Sequence, residues 1–229
     1  MYKHIFLDFD DTIYDTRGNA TVALRELYEH FNLNRFFDRF ETFSSSYWLR
    51  NHEVWALYCL GNMSRAELVV ERFLYPLKQV GTGDEAMALA LNDWFLDRTS
   101  EKSGLIEGAL DLLEYLKPHY HLHIISNGFT EVQFRKLKSA GVDRYFEEII
   151  LSDAVGVNKP DPVIFEYALQ KTGAKKEESI MIGDNFDTDI TGAIRSRIDQ
   201  IFFNPQPDFI APVTPTFEVR KLEEIKEIL

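Results

Sequence analysis

The sequence predicts an α/β protein in which a Rossmann-like parallel-sheet core is interrupted near its start by an all-helical insert. Three observations carry this. From residue 104 onward, short apolar runs alternate with amphipathic helical stretches, the rhythm of a parallel sheet covered on both faces. Between about residues 16 and 99 that rhythm is missing, and Leu, Ala, Glu, Arg and aromatic residues recur at helical spacing. Ahead of this insert, residues 4–9 form a short apolar run that stops at Asp10-Asp11-Thr12, as a buried strand ending in a polar loop does.

Taken in order, the first strand joins a sheet whose other members are expected at 121–126, 147–151, 179–183 and 199–203. Helices are expected at 107–117, 129–139, 161–172 and 188–195. The runs His-Leu-His-Ile-Ile and Ser-Ile-Met-Ile-Gly are nearly continuous in apolar residues, which suits strands buried on both sides. Within the insert, breaks near 32–34, 61–64 and 81–84 leave about four helices. Ser64 and Asp84 offer side-chain oxygens to the free amides at two helix starts. Prolines 205, 207, 212 and 215 mark an irregular crossing before a strand at 216–219 and a terminal helix at 221–229. The expected division is a core of residues 1–14 and 104–229 and a helical domain of residues 15–103.

The chain has 229 residues, 45% hydrophobic and 27% charged, with a formal charge of −12. That composition belongs to a folded globular protein. The negative balance, without a long Lys/Arg run, argues against a nucleic-acid polymer as partner, because backbone binding rests on basic groups neutralising phosphates. The one cysteine, Cys59, excludes an intramolecular disulfide and a cysteine zinc site. The apolar run at 4–9 is too short for a signal sequence or membrane span, so the chain reads as cytoplasmic. No motif reports on oligomeric state.

In an open parallel sheet, ligands sit beyond the carboxyl ends of the strands, so the following loops hold the chemistry. Four are informative: Asp8-Phe9-Asp10-Asp11-Thr12, Ser126-Asn127-Gly128, Lys159-Pro160, and Gly183-Asp184 continuing through Asp187 and Asp189. In this order they resemble the four motifs of the haloacid dehalogenase superfamily, whose members are mostly phosphatases. The resemblance spans residues 1–14 and about 104–229.

Each motif matches a task in phosphoryl transfer, which asks mainly for positioning and charge stabilisation. Asp8 is the candidate nucleophile, forming an aspartyl-phosphate. Asp10 is the candidate general acid and base. Mg2+ prefers hard oxygen ligands, here Asp8, the Asp10 backbone carbonyl and Asp184. Thr12, Ser126, Asn127 and Gly128 are candidate phosphate-binding or loop-shaping residues, and Lys159 supplies a fixed positive charge. The resemblance makes Asp189 a supporting acid near Lys159 or the outer shell of the metal, with Asp187 the alternative. Dehalogenation also uses an aspartate nucleophile, but a halide leaving group needs neither Asp10 nor Asp184.

The insert resembles the superfamily's cap at this position, a domain that closes over the site and selects substrates. Its segment 47–58, with Gly61 and Arg72-Phe73, resembles YjjG-type pyrimidine 5'-nucleotidases. That implies a nucleoside 5'-monophosphate as the small phosphorylated partner, with Asn51 or Arg50 reading the base and Trp55 stacking on it. Sugar phosphates, pyrophosphate and a mutase reaction use the same core. A non-enzymatic binding protein would ordinarily lack the nucleophile or the metal aspartate, and both are present.

Plainer roles suit other residues. Asp11, Asp153 and Asp187 read as caps or surface ion pairs. His119, His121 and His123 alternate as one strand face would, and read as hydrogen-bonded structural histidines. Trp48, Trp55 and Tyr58 lie at helical spacing, as core aromatics do. Finally, Ser196-Arg197 replaces the Ala-Gly that relatives usually carry at a helix end, removing the easy left-handed cap.

Overall fold

A computed structural model describes every residue except Pro207. The chain divides into two compact units, Met1–Thr16 with Ser103–Leu229, and Arg17–Lys102.

The first unit is built on β1 (His4–Leu7). The second unit holds most of α1 (Thr16–His30), then α2 (Phe40–Cys59), α3 (Arg65–Gln79) and α4 (Glu85–Ser100). The chain returns to the first unit with α5 (Ala109–Leu116), β2 (His121–Ser126), α6 (Thr130–Ser139), β3 (Glu148–Leu151), α7 (Ser152–Val155) and α8 (Pro162–Thr172). It continues through β4 (Ser179–Gly183), a π turn (Phe186–Ile190), α9 (Thr191–Ser196), β5 (Asp199–Phe203) and β6 (Phe217–Val219). The expected terminal helix is a 3-10 helix over Leu222–Glu227.

The sheet order is β3-β2-β1-β4-β5-β6, with every pairing parallel. Strand order reverses between β1 and β4, so their C-terminal ends open a crevice at the topological switch point. Leu7 is in register with Ile124 of β2 and Ile182 of β4. Asp8 therefore leaves the sheet beside the ends of both neighbours. Ile5 and Leu7 pack into one buried cluster and Phe6 into another, so β1 has an apolar layer on each face. This burial on both faces explains why the first strand lacks a polar alternation.

The helical unit has its own core. Leu24 and Leu27 of α1, Phe43 and Tyr47 of α2, Phe73 and Leu77 of α3, and Leu91 and Phe95 of α4 form one buried cluster. Ser64 makes a reciprocal capping box with Glu67, and Asp84 accepts from the Met87 amide at 2.9 Å. Each cap satisfies amides that the first helical turn leaves without a partner. No helix among the described residues is long and apolar enough to cross a membrane.

The helix α9 ends on Arg197 at φ 60° and ψ 40°, so the left-handed cap persists although glycine is absent. A side chain in that region costs about 1 kcal/mol or more from crowding against the carbonyl oxygen.

Candidate active site

The loop after β1 is tied into a knot by its own backbone. The Ile13 and Tyr14 amides donate to the Phe9 carbonyl at 3.0 and 2.9 Å, and the Asp11 amide donates to Tyr14 at 2.8 Å. Phe9, Ile13 and Tyr14 are fully buried, so apolar anchoring fixes the turn that presents Asp8 and Asp10. Asp11 adopts φ 59°, a left-handed conformation that aspartate tolerates better than most residues.

Asp8 is buried and accepts from the Lys159 ammonium. Lys159 has three N–H donors and three acceptors: Asp8, Asp189 Oδ1 at 2.7 Å and the Ile125 carbonyl at 2.7 Å. Its position is set by Asn127, whose Nδ2 donates to the Lys159 carbonyl at 2.9 Å while its Oδ1 accepts from the Lys159 amide at 2.8 Å. The Asn127 side chain thus braces the lysine loop.

Thr12 ties the first loop to the last. It is fully buried, and its hydroxyl donates to Asp184 Oδ1 at 2.7 Å and accepts from the Asp184 amide at 3.1 Å. Its hydroxyl is thus engaged in fixing Asp184 and belongs to the loop-shaping class.

The last loop gives its two later acids different surroundings. Asn185 accepts from the Asp187 and Thr188 amides, both at 3.1 Å, and opens a π turn. The turn leaves Asp187 exposed and carries Asp189 back under the loop, where it is fully buried. There Asp189 also accepts from the Asn185 amide at 3.1 Å. A Cβ at Gly183 would stand 2.3 Å from Asp189 Oδ2, so this close approach requires glycine.

Asp8, Asp184 and Asp189 each offer an oxygen, all within 4.8 Å of one another. Burial, opposed by Lys159 and reinforced by the charges of Asp189 and Asp10, pushes the Asp8 carboxyl up to about 8. Burial, then the charges of Asp8 and Asp189, raise Asp184 well above the ordinary carboxylate range. Three carboxylates, Asp8 and Asp189 buried and Asp184 half-buried, face one ammonium, an excess of negative charge that a divalent cation on hard oxygen ligands would offset. The donor set therefore fits Mg2+. Asp8, Asp184 and Asp189 are the carboxylates that could hold it, with Asp8 and Asp189 also bound by Lys159 and Asp189 by the Asn185 amide.

At the end of β2, Ser126 is buried, and its Oγ accepts from the Gly128 amide at 3.1 Å and from Gln133 Nε2 at 2.7 Å. Both bonds leave its own proton available. A Cβ at Gly128 would lie 2.2 Å from Gln133 Nε2, so glycine makes room for that amide.

Three residues that the motifs did not indicate surround Asp10. Lys136 Nζ and Thr16 Oγ1 lie 2.6 and 2.5 Å from Asp10 Oδ1, and Gln133 Nε2 donates to Oδ2. Burial pushes the Asp10 carboxyl up, but the Lys136 charge and the hydrogen bonds from Lys136, Thr16 and Gln133 outweigh it and hold the group below its usual value. The available sequence signal was the buried stripe of α6, where Val132, Gln133, Lys136 and Leu137 place an amide and an ammonium on its inward face.

In the helical unit, Trp48 packs against the core cluster, and Trp55 meets Tyr58 edge-on at 5.5 Å. Asn51 is half-buried, and its buried Oδ1 accepts no hydrogen bond. Arg50 is bound by Glu53 and Glu71 at 2.9 and 2.8 Å.

Comparison with known proteins agrees with this arrangement. The family model described as haloacid dehalogenase-like hydrolase matches residues 2–197. The HAD-hydrolase YfnB of Bacillus subtilis is 32% identical over 230 residues, covering 100% of this chain and 95% of that protein. Its magnesium-bound crystal structure superimposes with a TM-score of 0.89 over 99% of this chain and 98% of that one, at 31% identity. Pyrimidine 5'-nucleotidase PynA of Streptococcus pneumoniae is 29% identical, covering 100% of this chain and 95% of its own. Pyrimidine 5'-nucleotidase YjjG of Escherichia coli is 27% identical, with 98% and 96% covered. On the matched family model, a relative above 30% identity over the whole of this chain and the loops that order these carboxylates, the chain belongs to the haloacid dehalogenase-like hydrolases.

Proposed function

We propose that this hydrolase is a magnesium-dependent phosphatase that transfers the phosphoryl group of a pyrimidine nucleoside 5'-monophosphate to Asp8 and then to water. The observation that supports it most is the Asp8 carboxylate, buried on Lys159 within reach of Asp184 and Asp189 at the sheet's switch point.

In the first step an Asp8 oxygen attacks phosphorus, the phosphorus–oxygen ester bond breaks, and the departing oxygen takes a proton from Asp10, whose carboxyl the charge of the bound phosphate raises from its depressed value in the free protein. In the second, water attacks the same phosphorus, Asp10 takes its proton, and the acyl-phosphate bond breaks to restore Asp8. Lys159 steadies the charge on Asp8 and on the transferring oxygens, and Ser126 can donate to one of those oxygens. Bound at Asp8, Asp184 and the Asp10 carbonyl, Mg2+ would neutralise repulsion between carboxylate and phosphate. Asp189 keeps Lys159 in place, and Thr12 keeps Asp184.

The pyrimidine preference follows the names of two full-length relatives. The test is phosphate release from nucleoside monophosphates, sugar phosphates and pyrophosphate, with magnesium and with chelator. Magnesium-dependent release favouring UMP and CMP is expected. Release favouring a sugar phosphate or pyrophosphate would reject the nucleotide assignment, and no release from any ester would reject the phosphatase.

A further inference from the structure

We propose that Gln133 and Lys136 of α6 are positioning residues that aim the Asp10 carboxylate and tie it to Ser126, the serine placed to donate to a transferring phosphoryl oxygen. This rests on the phosphatase reading above and adds to it a pair of residues outside the four motif loops.

The two side chains stand three residues apart on the inward face of one helix, spacing that makes them neighbours. Both are buried, although long polar side chains ordinarily reach solvent. Each oxygen of Asp10 has its own donor from this helix: Lys136 Nζ on Oδ1 at 2.6 Å and Gln133 Nε2 on Oδ2. Such contacts at both oxygens fix the plane of the carboxylate as well as its direction.

Gln133 also donates to Ser126 Oγ at 2.7 Å, so one amide nitrogen bridges the proton-transfer group and the β2 loop. The amide orientation is determined by these partners, because turning it over would place Oε1 against the Asp10 carboxylate. In the observed orientation Oε1 is buried without a hydrogen-bond partner. A buried acceptor of this kind is costly unless satisfied, and it lies beside the group that must handle the proton of a hydroxyl or water. Lys136 is steadied in turn by the Tyr14 ring, 5.1 Å away. Gly128 completes the arrangement, since any side chain there would displace Gln133.

The test compares kcat/KM, which reads through departure of the leaving group, for UMP and for p-nitrophenyl phosphate. The alkoxide of UMP needs a proton from Asp10, whereas p-nitrophenolate does not. Gln133→Met and Lys136→Met are measured alone and in an Asp10→Asn background, with thermal unfolding as the folding check. Each single variant is expected to lose about 10- to 100-fold on UMP and about fivefold or less on the aryl ester. In the Asp10→Asn background, neither should lose more than about threefold on UMP, because residues acting through Asp10 have nothing left to aim. Equal losses on both esters, or full additivity with Asp10→Asn, would overturn the proposal. Gln133→Met changes no charge and decides the matter if Lys136→Met does not fold. Inactivity of the wild-type protein on both esters would instead reject the phosphatase reading before any variant is compared.

Discussion

The strands β1 and β2 carry titratable side chains toward both of their ends, and the two groups are built in opposite ways. Beyond the C-terminal ends, loops from several strands bring Asp8, Asp184 and Asp189 to within 4.8 Å around one lysine. In the N-terminal half, His4 stacks on His121 and His123 with ring centroids 4.9 and 5.4 Å apart, and His4 Nδ1 lies 3.1 Å from His123 Nε2. Stacked rings present faces to one another, while converging carboxylates present lone pairs to one point. Reactive side-chain types therefore do not make a site by proximity alone. What differs is that loops can aim several side chains inward, whereas register lays strand residues side by side.

The largest effect should separate the two ends by activity. Asp8→Asn is expected to lower kcat at least about 10³-fold without lowering the melting temperature of the metal-free protein above pH 8, where it removes one of three clustered like charges. His4→Phe, roughly 13 Å along the same strand, should leave kcat within about threefold. Steady-state kinetics and thermal unfolding of both variants check this pair.

The pH dependence of stability should have opposite signs at the two ends. Because the folded-state Asp8 carboxyl is raised to about 8, metal-free folded protein retains a proton that the unfolded chain has released between pH 4 and 8. Its contribution falls as pH rises through that window, and magnesium competes with the proton. Saturating magnesium should raise the melting temperature by about 5 °C at pH 8 and by clearly less at pH 5.5. At the histidine end, burial followed by the charge of His4 holds His123 down to about 4. Its contribution is intact above pH 6.5 and is lost as pH falls toward 4, by on the order of 2 kcal/mol. His123→Phe should remove that acid-side loss while leaving the magnesium increment unchanged. Thermal denaturation across pH, with magnesium and with chelator, measures both.

The smallest effect lies outside both ends. Arg197→Gly should stabilise the protein by about 0.5–1 kcal/mol, because glycine relieves the left-handed strain at φ 60° but loses more chain entropy on folding. Chemical denaturation with activity as a control tests it.

The sheet and the acidic loops were legible in the sequence because each rests on a local pattern. A run such as Ser-Ile-Met-Ile-Gly announces a buried strand, and the polar residues after it must then stand at the sheet's edge. Asp8 and Asp184 stand at two such strand ends. Asp189 could not be separated from Asp187, because the π turn between Asn185 and Ile190 fixes which acid turns inward. The partners of the Thr12 hydroxyl and the Asn127 amide lie on other loops, a pairing visible only when those loops are adjacent. Gln133 and Lys136 were missed for a related reason. They meet Asp10 across more than 120 residues of chain, and only their place on the buried stripe of α6 hinted that they face inward.

The most direct test of the account is to trap the phosphoryl group on Asp8. Enzyme turning over UMP with magnesium is quenched in acid and reduced with borohydride, which converts an aspartyl-phosphate to homoserine, and the peptide containing position 8 is sequenced by mass spectrometry. Homoserine at position 8, dependent on substrate and absent from Asp8→Asn, is the predicted result. Rapid turnover with an unmodified Asp8, or with the label on another side chain, would contradict it.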